Sequence, residues 1–343
     1  QATICAPPGP LAEPARRAGI EVVPTEPWLE GTGAERGELW RTVAAHDVAV
    51  VHWEQGVMEA FGPALESCGR AALALHQSPR ALTRWFGETT VATARSVLEQ
   101  AVAEERAVAL VRGAAHRRKV AEAFEVPEAG LRVLPASVDA RALPFEPAAG
   151  EPRELLAMTR LSAEKAAVVG LAIQLTAARL AAGGACRLTV AGEGTWRDEA
   201  IGLCEERLPA ASWRIEPAPR DPVGRLAAAD LIVAQGVTTL EAAALGRPVV
   251  VARAAAEEGG VVLTPGRYDE AARDPFGEPR LTTDPDRLWR EAAAVDRDDL
   301  RGLRRLVERG NSIEAASRAL DGALAATGRR GLRGLLRRAF SQP

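Results

Sequence analysis

What this sequence has little of narrows its reading first. Aromatic residues make up only 4% of the chain, with a single tyrosine, while the apolar fraction reaches 47% on Ala, Val and Leu. That balance suits helices packed on sheets better than an all-β protein. The four cysteines, Cys5, Cys68, Cys186 and Cys204, stand far apart. They show no C-x-x-C and no paired ligand spacing, so they read as small core residues of a reducing compartment. No apolar run approaches the ~18 residues that span a bilayer, and nothing at the start reads as a secretory signal. Charge of one sign is not in excess either: 43 Lys and Arg face 46 Asp and Glu, a net charge of −3. This leaves no global case for nucleic-acid binding, and a cytoplasmic protein is expected. Arg greatly exceeds Lys, a compositional bias. At 343 residues, two domains are the natural expectation.

The stretch that organises the rest runs from Asp230 to Val251. Leu231 to Ala234 is a short apolar run of buried-strand type, broken by Gly236. Thr238 or Thr239 can cap a helix carrying Leu240, Ala243, Ala244 and Leu245, which Gly246 closes before Pro248 and a new strand. A glycine turn feeding a helix N-terminus behind a strand is an anion site, because free N–H groups and the helix dipole face the ligand. Glu241 lies less than a turn further in, placed for a hydroxyl beside that anion. Phosphate plus hydroxyl suggests a nucleotide sugar. On pattern alone, an ordinary βαβ unit with a solvated Glu is the commoner source of these residues.

Taken in order, the first half alternates short strands and helices. Strands are expected at Ala2–Ala6, 20–23, 48–52, 71–75, 107–111 and 131–134, with a loop over 24–38 and helices near 11–18, 39–45, 57–66, 90–104 and 114–124. Alternation of this kind means a parallel sheet covered on both faces, with ligands beyond the carboxyl ends of the strands. His52 and His76 both close such strands. Each is either a hydrogen-bonded structural histidine or a polar group projecting into a cleft. His116, beside Arg117, Arg118 and Lys119, is expected on a solvated basic helix face.

Pro144, Pro147, Gly150 and Pro152 mark the boundary, placing one domain at 1–148 and a second at 152–326. In the second, strand 155–158 feeds Thr159-Arg160-Leu161-Ser162-Ala163-Glu164-Lys165 and a helix at 166–182 that Ser162 can cap. Arg160 and Lys165 put two cations at a strand end, suited to a diphosphate or simply to solvent. Strand 187–190 ends in Gly192-Glu193-Gly194, a weak motif in which glycine lets a ligand approach the backbone. Strand 213–216 and a helix at 222–229 follow.

These residues together resemble the retaining GT-B glycosyltransferases of the family 4 type. Thr159 to Lys165 is similar to the family's GRLSPEKG. Val190 to Gly194 with Arg197, Asp198 and Glu199 resembles VGDGPLRDEL, and Leu240-Glu241 to Val250 resembles LEAMALGRPVV. In the first half, Ala107 to Phe124, Val126-Pro127, Leu134-Pro135 and Val138-Asp139 resemble the family's acceptor domain. The resemblance implies two Rossmann-like domains facing across a cleft, with parallel sheets covered by helices. It implies transfer of a sugar from a nucleotide diphosphate sugar to an unknown hydroxyl acceptor, with no cofactor and no metal. Arg160 and Lys165 match the pair that neutralises the leaving diphosphate. Gly192, Glu193, Gln235, Gly236, Thr238 and Thr239 then fall to donor binding, Glu241 to the ribose hydroxyls and His76 to the sugar–acceptor junction.

Departures accompany the likeness. Val233 stands where the family has an earlier Glu, with Gln235-Gly236-Val237 as a shortened loop. Ala136-Ser137 replaces the usual Asn-Gly, and Arg112 replaces a Ser. The family's first strand and glycine-rich loop have no counterpart before Gln1, which reads either as a missing natural N-terminus or as an unusually trimmed enzyme. These departures keep open a non-catalytic nucleotide-sugar-binding partner subunit. A nucleotide-sugar 2-epimerase is weaker, because no cluster of carboxylates is apparent. Finally, residues 327–343 carry five Arg with Leu332, Leu335, Leu336 and Phe340, a basic amphipathic tail suited to docking or to peripheral contact with an anionic membrane.

Overall fold

The computed structural model describes residues 3–6, 12–24, 33–52, 64, 66–75, 87–89, 91–92, 95–96, 98–99, 102–103, 106–148, 150–253, 259–275, 277 and 279–326. By contacts the chain divides into two compact units. One comprises residues 1–112, 116–134 and 319–343, and the other residues 113–115 and 135–318.

The first unit holds β1 (Thr3–Ala6), β2 (Glu21–Pro24), β3 (Ala49–His52), β4 (Ala71–Ala74), β5 (Ala107–Val111) and β6 (Leu131–Val133). β1 and β2 pair with each other, and β3-β4-β5-β6 form a four-stranded parallel sheet. Successive side chains on a strand face opposite ways, and the sequence fills both faces. Ala71, Leu73, Ala107, Ala109 and Val111 pack with Val120, Phe124 and Leu131 on one side. Ala72, Ala74, Val108 and Leu110 meet Leu320, Ala323 and Leu324 on the other. Those last three lie on one stripe of the helix Ile313–Ala326, whose Leu324 carbonyl accepts from the Arg70 guanidinium at 2.6 Å. The helix Gly33–Ala44 begins inside the stretch expected to be loop.

The second unit holds β7 (Glu154–Met158), β8 (Arg187–Ala191), β9 (Trp213–Glu216), β10 (Leu231–Ala234), β11 (Val249–Ala252) and β12 (Gly260–Val262) in the order β12-β11-β10-β7-β8-β9. Only β12 runs antiparallel. β10 and β11 are buried at every position, as strands covered on both faces must be. Leu156, Ile232, Val249 and Val251 pack to one side, and Leu155, Ala157, Val233 and Val250 to the other. Two helices close those cores from a region that periodicity left unassigned. Pro285–Ala293 buries Leu288, Trp289 and Ala292, and Arg297–Gly310 buries Leu300, Leu303 and Val307. Asp284 and Asp296 cap them, accepting from amides of the first turn. The chain runs from β7 outward through β8 to β9, then returns to β10 and continues through β11. The order therefore reverses between β7 and β10. Among the described residues, no helix is long and apolar enough to cross a membrane.

Candidate functional site

A parallel sheet whose order reverses leaves a crevice beyond the carboxyl ends of the two strands flanking the reversal. Here those strands are β7 and β10. β7 delivers Thr159 to Lys165, and β10 delivers Gln235 and Gly236. Lys165 precedes the helix Ala166–Ala181, and Gly236 is the N-cap of the helix Val237–Leu245. Across the crevice, the Lys165 Nζ donates to Gln235 Oε1 at 3.0 Å.

The β10 side has the form of an anion site. Gly236 adopts φ 73°, which a side chain rarely tolerates, and a Cβ built there would meet nothing. No side chain caps the helix that follows. Thr238 and Thr239, expected as caps, lie inside the helix instead, because glycine makes the turn one residue earlier. Thr239 is buried, and its hydroxyl has no hydrogen-bond partner. Val237, at the first helical position, is 45% exposed. Glu241 is half-buried on the same helix, and burial raises its pKa. Gly246 ends the helix in the left-handed conformation at φ 81°, as its position implied.

On the β7 side, burial lowers the Lys165 pKa, Glu164 raises it and Arg160 lowers it. The Arg160 guanidinium is 66% exposed and pairs with Glu164. Ser162 precedes a short 3-10 turn, Ala163–Lys165, and makes no side-chain cap. Its hydroxyl too is buried without a partner. The expected cap fails because the 3-10 turn interposes and Lys165 takes the N-cap position.

Gly192 and Gly194 answer to packing. A Cβ at Gly192 would fall on the Thr159 carbonyl oxygen, and one at Gly194 on the Leu161 carbonyl oxygen. The glycines let the β8 loop lie against the β7 loop, where Thr159 N bonds Ala191 O at 3.0 Å and Leu161 N bonds Glu193 O at 2.8 Å. Trp196 N closes back on Leu161 O at 3.0 Å. The close approach that these glycines permit is thus to the chain itself, and it sets the course of the segment carrying Arg160. The Glu193 side chain is exposed.

The remaining sequence candidates separate. His76 and the tail 327–343 lie outside the described residues, and His52 ends β3. His116 is fully buried rather than part of a solvated face, and its Nδ1 accepts from Arg112 N at 3.1 Å. The helix Ala114–Phe124 turns its third residue inward while Arg118 stays exposed. What spacing could not reveal is the Lys165–Gln235 contact, which joins residues 70 apart and follows only from strand order. Among the described residues, no group of three or more His, Cys, Asp or Glu is placed to hold a metal ion.

Sequence comparison finds no matching family model and no matching curated protein. Structural comparison does find chains of similar fold. HepE of Anabaena in complex with UDP-glucose superposes with a TM-score of 0.72 at 13% identity, over 95% of this chain and 92% of that one. The fold is that of the GT-B glycosyltransferases. A glycosyltransferase of Rickettsia africae gives a TM-score of 0.64 at 11% identity, over 95% and 90% of the two chains. The lipopolysaccharide outer core galactosyltransferase WaaB gives 0.58 at 12%, over 91% and 86%.

Proposed function

We propose that this chain is a glycosyltransferase that takes its sugar from a nucleoside diphosphate sugar, with UDP as the first base to test. The observation that carries this reading is the meeting of Lys165 with the strand-to-helix turn of β10 at 3.0 Å, across the reversal in strand order. One wall offers a cation and the other an uncapped helix N-terminus, so a diphosphate between them meets donors from both sides. The neighbour HepE, bound to UDP and to UDP-glucose, supports the choice of base.

In this reading Arg160 and Lys165 stabilise the charge that develops as the sugar leaves. The bond from the sugar C1 to the phosphate oxygen breaks with its electron pair going to the diphosphate. The acceptor hydroxyl oxygen bonds C1, and its proton passes to a phosphate oxygen of the leaving group. Glu241, on the helix that receives the phosphates, takes the ribose hydroxyls. Retention at C1, independence of metal and a cytoplasmic location belong to the same proposal. So do a role for His76 at the acceptor junction and peripheral membrane contact through the tail.

A thermal-shift panel of UDP, GDP, ADP and TDP with their common sugars, with and without EDTA, tests the reading. A ligand at a hundred times its Kd stabilises by about 2.7 kcal/mol, roughly 5–10 °C for a unit of this size. One base is expected to give that shift, unchanged by EDTA and lost in K165A. No shift with any diphosphate removes the donor site. Val233, fully buried in β10 where the family places a carboxylate, favours a second reading, a subunit that binds the donor without transferring it. Binding with no release of UDP from the sugar nucleotide, across a broad acceptor screen, selects that reading.

A further inference from the structure

Lys119 and Lys165 are the only lysines in a chain otherwise supplied with arginine. A lysine ammonium is a compact charge on a flexible stem, with about 2 kcal/mol of rotamer entropy to lose when it is held in one place. On its own loop, Lys165 faces Glu164 and Arg160, and these two are already paired with each other. The opposite wall supplies its partner. β10 is Leu-Ile-Val-Ala, buried throughout, and the first polar side chain beyond it is Gln235, whose Oε1 accepts from Nζ. An ammonium has donors only, so the contact also orients the amide, with its oxygen toward Lys165 and its NH2 away.

We propose that Gln235 is a positioning residue that holds the Lys165 ammonium over the β10 turn while leaving its charge uncancelled. This rests on the donor-site reading above. A hydrogen bond to the charged form favours that form, which opposes the burial that lowers the Lys165 pKa. A carboxylate at the same place would accept the same bond, but the pair would then carry no net charge toward a diphosphate. With an amide, the ammonium is fixed and its full charge still faces the ligand. Gln235 thus acts on the donor through Lys165, beyond any contact its NH2 makes with a sugar.

The two-lysine sequence makes the test direct. The whole chain is labelled with lysine carrying 15N at Nζ and 13C at Cε, K119R assigns the second signal, and UDP and inorganic pyrophosphate serve as probes. In Q235L the Lys165 signal is expected to titrate at lower pH than in wild type, and UDP to bind about tenfold more weakly. In Q235E the signal should titrate at higher pH, yet UDP should bind more weakly than in Q235L. A residue that only fills space would leave the lysine titration unmoved and give the two variants equal affinity. Unchanged titration and unchanged UDP affinity in Q235L, with K165A still abolishing binding, overturn the proposal and leave the donor site standing. If wild type binds neither UDP nor pyrophosphate, the donor-site reading itself falls and the proposal with it. The lysine titration would still report whether the two side chains pair.

Discussion

Replacing Gly192 with alanine should damage stability and ligand binding together, because one hydrogen atom's worth of space holds the β7 loop in place. The new Cβ would land on the Thr159 carbonyl oxygen, far inside the 3.0 Å that real Cβ contacts respect, so the carbonyl must retreat by about 1 Å. Backbone bonds resist that movement, from Thr159 N to Ala191 O at 3.0 Å and from Leu161 N to Glu193 O at 2.8 Å. Overpacking costs about 1–3 kcal/mol, and a backbone bond lost in the process about 1 kcal/mol more. A total of about 2–4 kcal/mol lowers Tm by roughly 5–15 °C in a unit of this size. The displaced segment carries Arg160 and leads into Lys165, and misplacing a binding group by ~1 Å can cost about a hundredfold in function. UDP affinity should therefore fall at least tenfold, measured by calorimetry at a temperature where G192A is folded. Gly202 provides the control. It lies inside the helix Arg197–Arg207 and a Cβ there meets nothing, so G202A should gain about 0.5–1 kcal/mol and bind UDP as wild type does. A G192A protein with wild-type Tm and wild-type affinity would refute the view that this glycine sets the loop.

Three other substitutions address the same unit. Burial raises the Glu241 pKa above its ordinary 4.5. Its favourable contribution is therefore complete below that value and lost as pH rises through the folded pKa. E241Q should accordingly be more stable than wild type at pH 7, by an amount that vanishes below about pH 4, and should bind UDP more weakly; urea unfolding at the two pH values decides the first point. The Thr239 hydroxyl is buried without a partner, so T239V should be neutral or stabilising by about 1 kcal/mol. If the hydroxyl meets a phosphate, T239V should also weaken UDP binding, and a variant that leaves both quantities unchanged removes Thr239 from the site. Arg304 donates to the carbonyls of Ala140, Leu143 and Ala244, three acceptors that a lysine cannot reach at once. R304K should cost about 3 kcal/mol, and a denaturation midpoint equal to wild type would show that those carbonyls find other donors.

The parts of this molecule that sequence discloses are those in which neighbouring residues decide the outcome. Leu231 to Ala234 is a buried strand because nothing polar interrupts it, and Gly246 ends its helix because φ 81° favours glycine. Cap identity was less legible: Thr238 and Thr239 have the right chemistry, yet Gly236 makes the turn first. His116 shows the limit of reading charge along a chain. Three basic neighbours suggest a solvated face, while the helix periodicity turns that one side chain into the core. The helices Pro285–Ala293 and Arg297–Gly310 escaped because charged residues dilute their apolar stripes, although Asp284 and Asp296 are caps that could have announced them. The candidate site depends on distance in sequence. Arg160, Lys165, Gln235 and Glu241 are each identifiable by type and local setting, but no local rule brings Lys165 to Gln235. That contact follows from β7 and β10 lying side by side, which only the order of the strands provides. A Val at position 233 and a Gln at 235 then stop reading as two independent departures from a pattern. With the strand interior wholly apolar, the residue at its tip is the first that can meet the lysine, and in the proposed donor site a neutral one leaves the charge for the ligand.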